Sequence, residues 1–326
     1  MKVLLTGANG FVGSHVLDCL LEQEIPVAVL LRPGSDRSFI TTSIARTEVR
    51  SGSITDPASL ARAMEGITQV IHCAGATKAR RLAEFYQTNE QGTRNVVEAI
   101  REAGRNVLRL VHVSSLAAAG PAVPEQPARE DDAPHPVSEY GRSKLAGERQ
   151  VREHCPVEHV IVRPPAVYGP RDRGFLSMFE AVNRHLLPRP SRRQALSLVY
   201  VRDLAEGIVA AMRHPAAGGR IYYASGSEVV TGCDLADEIA RQIGHWTVPV
   251  PLPALALWPV CFTQQVITAI MGKANILSLQ KYAELKAPGW VCDGSRLPRE
   301  LGYRCATPLR EGIARTLAWY RREGWL

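Results

Sequence analysis

Five short apolar runs, residues 3–5, 27–31, 70–72, 107–113 and 160–162, punctuate the first half of the chain. Between them, residues 11–24, 57–64, 83–103 and 140–154 repeat apolar positions at the spacing of a helix with one buried face. Strands too uniformly apolar to keep a wet face, alternating with amphipathic helices, predict a parallel sheet covered on both sides, an α/β doubly wound fold. Asp56 before Pro57 marks a helix start, and Gly66 stands where that helix should end. After about residue 168 the pattern loosens. Residues 200–203 lead into a helix at 204–213 and a short strand at 221–224 expected to rejoin the first sheet. Thr231-Gly232-Cys233-Asp234 reads as a capping box for a helix ending at Gly244, and a last helix covers 309–323. The expected organisation is one doubly wound domain over 1–167, rejoined by 198–224, and a smaller, mostly helical domain built from 168–197 and 225–326.

The first strand runs straight into Thr6-Gly7-Ala8-Asn9-Gly10-Phe11-Val12-Gly13 and then into a helix. Glycine permits the backbone angles of so tight a turn, and it lets main-chain N–H groups approach an anion at the positive end of the helix. A strand, a glycine turn and a helix in this order point to a bound dinucleotide. Farther along, Ser114-Ser115 follows an apolar strand, and Tyr140 and Lys144 stand one helical turn apart, on one helix face.

With Asp56-Pro57, His72-Cys73-Ala74-Gly75-Ala76, Asn89, Gly92-Thr93-Arg94-Asn95 and Arg163-Pro164-Pro165-Ala166-Val167-Tyr168-Gly169-Pro170, these motifs make the chain resemble the extended short-chain dehydrogenases/reductases, the NAD-dependent epimerase/dehydratase family. The pattern is closest to the dihydroflavonol reductase and 3β-hydroxysteroid dehydrogenase-like branch, and the likeness covers nearly the whole chain. It implies a Rossmann-type sheet and a Ser-Tyr-Lys site. In that reading Tyr140 exchanges a proton with the substrate oxygen, Lys144 favours the phenolate and bonds the nicotinamide ribose, Ser115 polarises the carbonyl, and Ser114 is structural. Asn89 either anchors a water or backbone group in the proton relay or is a packing or capping side chain. The implied cofactor set is Gly7, Asn9, Gly10, Phe11, Val12 and Gly13 at the turn, Ser53 and Ile54 after the third strand, Ala74, Gly75 and Ala76 after the fourth, Tyr140 and Lys144, and Pro164 and Val167 beside the nicotinamide.

At the end of the second strand, where NAD-binding relatives place a carboxylate, the chain reads Leu31-Arg32-Pro33. A guanidinium attracts a 2′-phosphate that a carboxylate would repel. NADP(H) is therefore the expected cofactor, with Arg32 as the main phosphate ligand, Arg37 as a second, and NAD(H) as the alternative. Ser53 stands where relatives often carry an adenine-binding aspartate, and it offers only a weaker neutral contact.

Composition narrows the partners. The 326 residues are 45% hydrophobic and 22% charged, ordinary globular values. The net charge of +7 is spread among scattered arginines with no basic block interleaved with aromatics, so no nucleic acid is expected. Seven cysteines without metal-ligand spacing suit reduced thiols in a cytoplasm, and no metal is expected. Between Gln242 and Gly272 there is no Asp, Glu, Lys or Arg, but prolines interrupt the stretch and no membrane span is expected. A lid or subunit contact, or an interfacial association with a membrane, remain the readings of that stretch. Leu196 and Ala119 occupy positions where nucleotide-sugar relatives carry an arginine and an aromatic residue, and with the uncharged stretch they favour an apolar ketone or alcohol as substrate. Arg192 and Arg193 keep open the alternative of a nucleotide-sugar epimerase or dehydratase, and a cofactor-sensing protein without catalysis is the third reading. Relatives suggest a homodimer through the helices at 83–103 and 140–154, and Asp203 is expected to cap the helix it begins.

Overall fold

In the computed structural model, which describes residues 1–190, 194–251 and 279–326, the first half of the chain folds as its apolar pattern requires. Strands β1 (Val3–Thr6), β2 (Val27–Leu31), β3 (Glu48–Ser51), β4 (Gln69–His72), β5 (Arg109–Val113) and β6 (Glu158–Arg163) lie parallel. With Ile221–Tyr223 added outside β6, the seven-stranded order is Ile221–Tyr223, β6, β5, β4, β1, β2, β3. Successive side chains of β1 enter opposite cores. Val3 and Leu5 join the helices α1 (Phe11–Glu22) and Val201–Arg213, whereas Leu4 joins Pro57–Ala63 and Gly92–Ala103. Strand order reverses between β1 and β4, so the loops leaving their C-terminal ends diverge and open a crevice there.

Two elements depart from the periodicity. Strand β3 has the sequence Glu-Val-Arg-Ser and is largely exposed, an edge strand whose charges discourage further pairing and hide it from an apolar count. The helix expected over 83–103 is divided into Leu82–Tyr86, a π-helical turn over Gln87–Gln91, and Gly92–Ala103. Such a turn inserts a residue into the helical repeat. Here it carries the buried Asn89.

The later segments assemble a second lobe. Strand Ala195–Tyr200 is at the centre of a small sheet, parallel to Ala166–Tyr168 and Gly289–Trp290 and antiparallel to Val229–Thr231. The stretch expected to return to the large sheet is thus split. Residues 195–200 belong to the small sheet, helix Val201–Arg213 packs on α1, and Ile221–Tyr223 pairs with β6. The capping box at Thr231 forms as expected, and its helix, Gly232–Ile243, ends at Gly244 in the left-handed region. Asp203 does not cap its own helix. Its carboxylate accepts the Thr307 N–H at 2.7 Å and the Thr307 hydroxyl at 2.6 Å, tying the helix to the segment before Leu309–Arg322. Among the described residues no helix is long and apolar enough to cross a membrane. Residues 252–278, most of the uncharged stretch, lie outside the described residues, as do Arg192 and Arg193.

Candidate active site

A cleft of about 400 Å³ opens at the strand-order reversal, lined by Gly7, Asn9 and Gly10 after β1, Arg32 after β2, Ser53 and Ile54 after β3, and Ala74, Gly75 and Ala76 after β4. The glycine turn is built for close approach. Gly7 has φ 74°, and a Cβ there would come within 2.6 Å of the Ala74 nitrogen; one on Gly13 would come within 2.1 Å of the Gly7 carbonyl oxygen. Gly13 serves strand-to-helix packing and Gly7 lets the turn meet the loop after β4, while Gly7 and Gly10 both border the cleft. Backbone N–H groups at a helix start suit a pyrophosphate, so the chemistry of this turn fits the expected dinucleotide.

The other expected cofactor residues divide by position. Arg32 borders the cleft and is exposed; Arg37 is exposed at the start of the turn Ser38–Ile40 and is not part of the lining. Asn9 donates its side-chain amide to the Asp36 carbonyl at 2.9 Å, fixing the loop that carries both arginines. Ile54 packs beside Gly92, and its carbonyl accepts from Asn95 at 2.9 Å. Phe11 meets His15 edge to face, and Val12 packs on the core. Pro164 is buried and its carbonyl holds the Leu116 N–H at 2.8 Å, which brings the end of β6 beside Ser115. Val167 packs on the core of the large sheet. Thr6, Leu30, Gly52, Thr55, Cys73 and Thr88 also line the cleft. Thr6 and Cys73 stand within the motifs themselves, and for Leu30, Gly52, Thr55 and Thr88 a position close to motif residues was the sequence signal.

Helix Glu139–His154 delivers Tyr140 and Lys144. It begins at Ser138, whose hydroxyl accepts the Gly141 N–H at 3.1 Å, and it approaches the Asn89 turn so closely that a Cβ on Gly147 would come within 2.3 Å of the Asn89 carbonyl oxygen. The Ser115 hydroxyl, which accepts the Ala117 N–H at 3.1 Å, is a polar neighbour of the Tyr140 phenol. Burial pushes the phenol up to about 12, the Ser115 hydroxyl draws it down, and the Glu284 carboxylate adds to the rise. Lys144 is 5% exposed and donates to the Val113 carbonyl at 2.8 Å. Desolvation lowers it to about 8 against the opposing pull of Glu148 and Cys73. The phenol is thus protonated at neutral pH, and the ammonium is close to its titration range.

Asn89 is fully engaged. Its oxygen accepts the Ala76 N–H at 2.8 Å, and its amide donates to the Ala76 carbonyl at 3.0 Å and the Ser143 hydroxyl at 2.9 Å. It therefore anchors a backbone group, the 74–76 loop, against helix Glu139–His154. Ser114 bonds Glu148 at 2.5 Å, and Glu148 forms a fully buried ion pair with Arg163 at 2.6 Å. Neither member of that pair stood out in the sequence as more than a motif or helix position.

Behind the cleft lies a second buried chain that the sequence did not reveal. Thr93 donates to the Asn89 carbonyl at 2.6 Å, so its oxygen is left to accept from His72 Nε2 at 3.1 Å. His72 Nδ1 then accepts from the Thr6 hydroxyl at 2.7 Å, and Thr6 accepts the Ala74 N–H at 3.3 Å. One neutral tautomer satisfies every bond. Burial holds His72 at about 3, consistent with that neutral ring. Among the described residues no cluster of His, Cys, Asp and Glu could hold a metal ion.

The sequence model of the NAD dependent epimerase/dehydratase family matches residues 3–224. The chain is 31% identical to a ceramide reductase of Caulobacter vibrioides, over 99% of this chain and 96% of that protein. It is 26% identical to a UDP-glucose 4-epimerase of Vibrio cholerae, over 97% and 94%. The structure of a Thermus thermophilus UDP-glucose 4-epimerase in complex with NAD matches with a TM-score of 0.77 at 25% identity, covering 98% of this chain and 99% of that one. Because these likenesses run the length of the chain and not through the glycine turn alone, the chain belongs to the NAD dependent epimerase/dehydratase family and is an NAD(P)-dependent enzyme of the extended short-chain dehydrogenase/reductase class.

Proposed function

We propose that the chain is an NADP(H)-dependent oxidoreductase that interconverts a ketone and a secondary alcohol on an apolar, lipid-like small molecule. The observation that carries this reading is the placement of Tyr140 and the buried Lys144 on one face of helix Glu139–His154, with Lys144 bonded to the Val113 carbonyl at the end of the strand that leads into Ser115. In the reducing direction Ser115 holds the ketone oxygen and Tyr140 donates its proton to that oxygen as the carbonyl carbon gains hydride. The bound nicotinamide supplies that hydride. Lys144 holds its charge beside the phenolate that remains, and Asn89 keeps the 74–76 loop and the catalytic helix in register.

Arg32 supports the choice of NADP(H), since it borders the cleft at the strand end where a carboxylate would repel a 2′-phosphate. The ceramide reductase likeness supports a lipid ketone. Leu196 packs into the core of the small lobe, so that position offers no cation to a sugar diphosphate. The reading includes a homodimer formed through the helices at 83–103 and 140–154, and a monomer mass by sedimentation equilibrium would remove that part of it.

The test has two arms. In titrations of purified protein NADPH should bind more tightly than NADH, and Arg32→Ser should weaken NADPH by about 10- to 100-fold, the value of a charge-assisted bond, while sparing NADH. Tighter binding of NADH removes the cofactor assignment. A panel of long-chain lipid ketones and UDP-sugars then separates the substrates. Stoichiometric NADPH oxidation with a keto lipid is expected, and UDP-sugar epimerisation without net cofactor consumption would establish the epimerase reading favoured by the Vibrio relative.

A further inference from the structure

Away from the catalytic helix, one side of the molecule gathers an arginine and three aromatic rings from distant parts of the chain. The Arg173 guanidinium lies 5.2 Å from the Trp325 ring centroid and 5.8 Å from that of Phe39. Phe39 and Trp325 are themselves 6.2 Å apart. Trp325 stacks on Tyr320 at 5.7 Å with an interplanar angle of 12°, and its main-chain N–H donates to the Tyr320 carbonyl at 2.8 Å. All of these separations are within the range of cation–π and aromatic contact.

The cluster joins a fixed base to the loop that borders the cofactor cleft. On the base side, Asp172 accepts the N–H groups of Gly174 and Phe175 at 2.6 and 3.0 Å, and its carbonyl accepts the Tyr320 hydroxyl at 2.6 Å. Arg171 pairs with Asp18 at 2.7 Å, and the Pro170 carbonyl meets His15 at 2.9 Å, so the segment carrying Arg173 is pinned to α1 as well. On the cleft side, Phe39 belongs to the loop that starts at Arg32. Among the described residues, the hydrogen bonds of residues 35–38 other than that from Asn9 to the Asp36 carbonyl are made within the loop itself and its following turn, and the Arg173 charge also draws on the Asp36 carboxylate.

We propose that Arg173 and Trp325 are positioning residues for the dinucleotide: they clasp Phe39 and so hold the 32–40 loop against the mouth of the cleft, slowing release of the bound cofactor. This rests on the dinucleotide reading of the cleft but not on the choice between NADP(H) and NAD(H), or on the identity of the substrate. Because the clasp spans the two lobes, the smaller lobe contributes to cofactor retention without touching the glycine turn. For a reductase, which exchanges its cofactor at each turnover, the strength of this clasp sets part of the turnover cycle.

The experiment is stopped-flow displacement of NADPH, with NADH in parallel, from the wild-type protein and from Trp325→Ala, Trp325→Phe and Arg173→Gln. Loss of the clasp in Trp325→Ala and Arg173→Gln should raise the dissociation rate and Kd together by about tenfold. The association rate should change by less than about threefold, because affinity differences among closely related complexes lie mostly in dissociation. Trp325→Phe, which keeps an aromatic face, should restore most of the slow release. Dissociation within about twofold of wild type in both disruptive variants, with circular dichroism showing them folded, would overturn the proposal. Should Trp325→Ala fail to fold, Arg173→Gln decides alone, since that side chain is exposed and its loss leaves no cavity. Failure of the wild-type protein to bind either dinucleotide would overturn the cleft assignment and the clasp with it.

Discussion

The large sheet and the small lobe use the same kinds of element but are assembled by contacts of different reach. In the large sheet every strand is parallel to its neighbours, and the apolar alternation of one strand supplies both cores. In the small lobe Ala195–Tyr200 takes partners from Ala166–Tyr168, Val229–Thr231 and Gly289–Trp290, which no local pattern links to one another. The comparison teaches where function is stored. The regular half places the Ser115, Tyr140 and Lys144 groups and the glycine turn in positions set by its repeating geometry, and the irregular half reaches them through Glu284, which accepts from Ser138 at 2.8 Å and adds to the rise at Tyr140.

The sharpest break should come from Tyr140→Phe on the regular side. It removes the proposed proton donor and leaves the cleft, so kcat should fall by about 10²- to 10⁴-fold in a steady-state assay while dinucleotide affinity in a fluorescence titration stays the same. Retained turnover would mean that another group supplies the proton. Next in size is Glu148→Ala, which strands the buried Arg163 guanidinium and should cost about 3–5 kcal/mol in chemical denaturation. A loss below about 1 kcal/mol would show that the pair is not what holds the catalytic helix to β6.

A smaller effect tests the seam between the halves. Asp203→Asn weakens the two bonds to Thr307 and should lower stability by about 1–2 kcal/mol in the same denaturation experiment, with kcat preserved. A large loss of kcat instead would place the seam in the catalytic machinery. The smallest expected change is in the pH profile. Lys144 is lowered from 10.5 to about 8, so its ammonium is present below that pH and lost above it. The rate of the proposed ketone reduction should therefore be about half-lost near pH 8 and continue downward, well before an ordinary lysine would titrate. A flat profile to pH 10 would separate Lys144's charge from the rate.

Much of the site was legible because its signals are local. The glycine turn carries its own backbone requirement, and the Tyr140 and Lys144 spacing places both on one helix face whatever surrounds them. Asn89 shows the limit: its position was visible, but the choice between relay anchor and packing residue depended on Ala76 and Ser143, brought to it by the π-helical turn. Arg37 shows another limit, since proximity to Arg32 along the chain did not put it in the cleft lining.

The sequence by itself determined the doubly wound sheet, the dinucleotide turn and the helix-borne Tyr-Lys pair, since each follows from periodicity or from the conformational needs of a few adjacent residues. Only the tertiary structure decided that Glu48–Ser51 is an edge strand, that Ala195–Tyr200 leaves the large sheet, that Asp203 holds Thr307, and that Thr6, His72 and Thr93 form one hydrogen-bonded chain. Those outcomes depend on partners far apart in the chain, and a hydrogen bond or strand pairing between distant residues leaves no periodic trace in either segment.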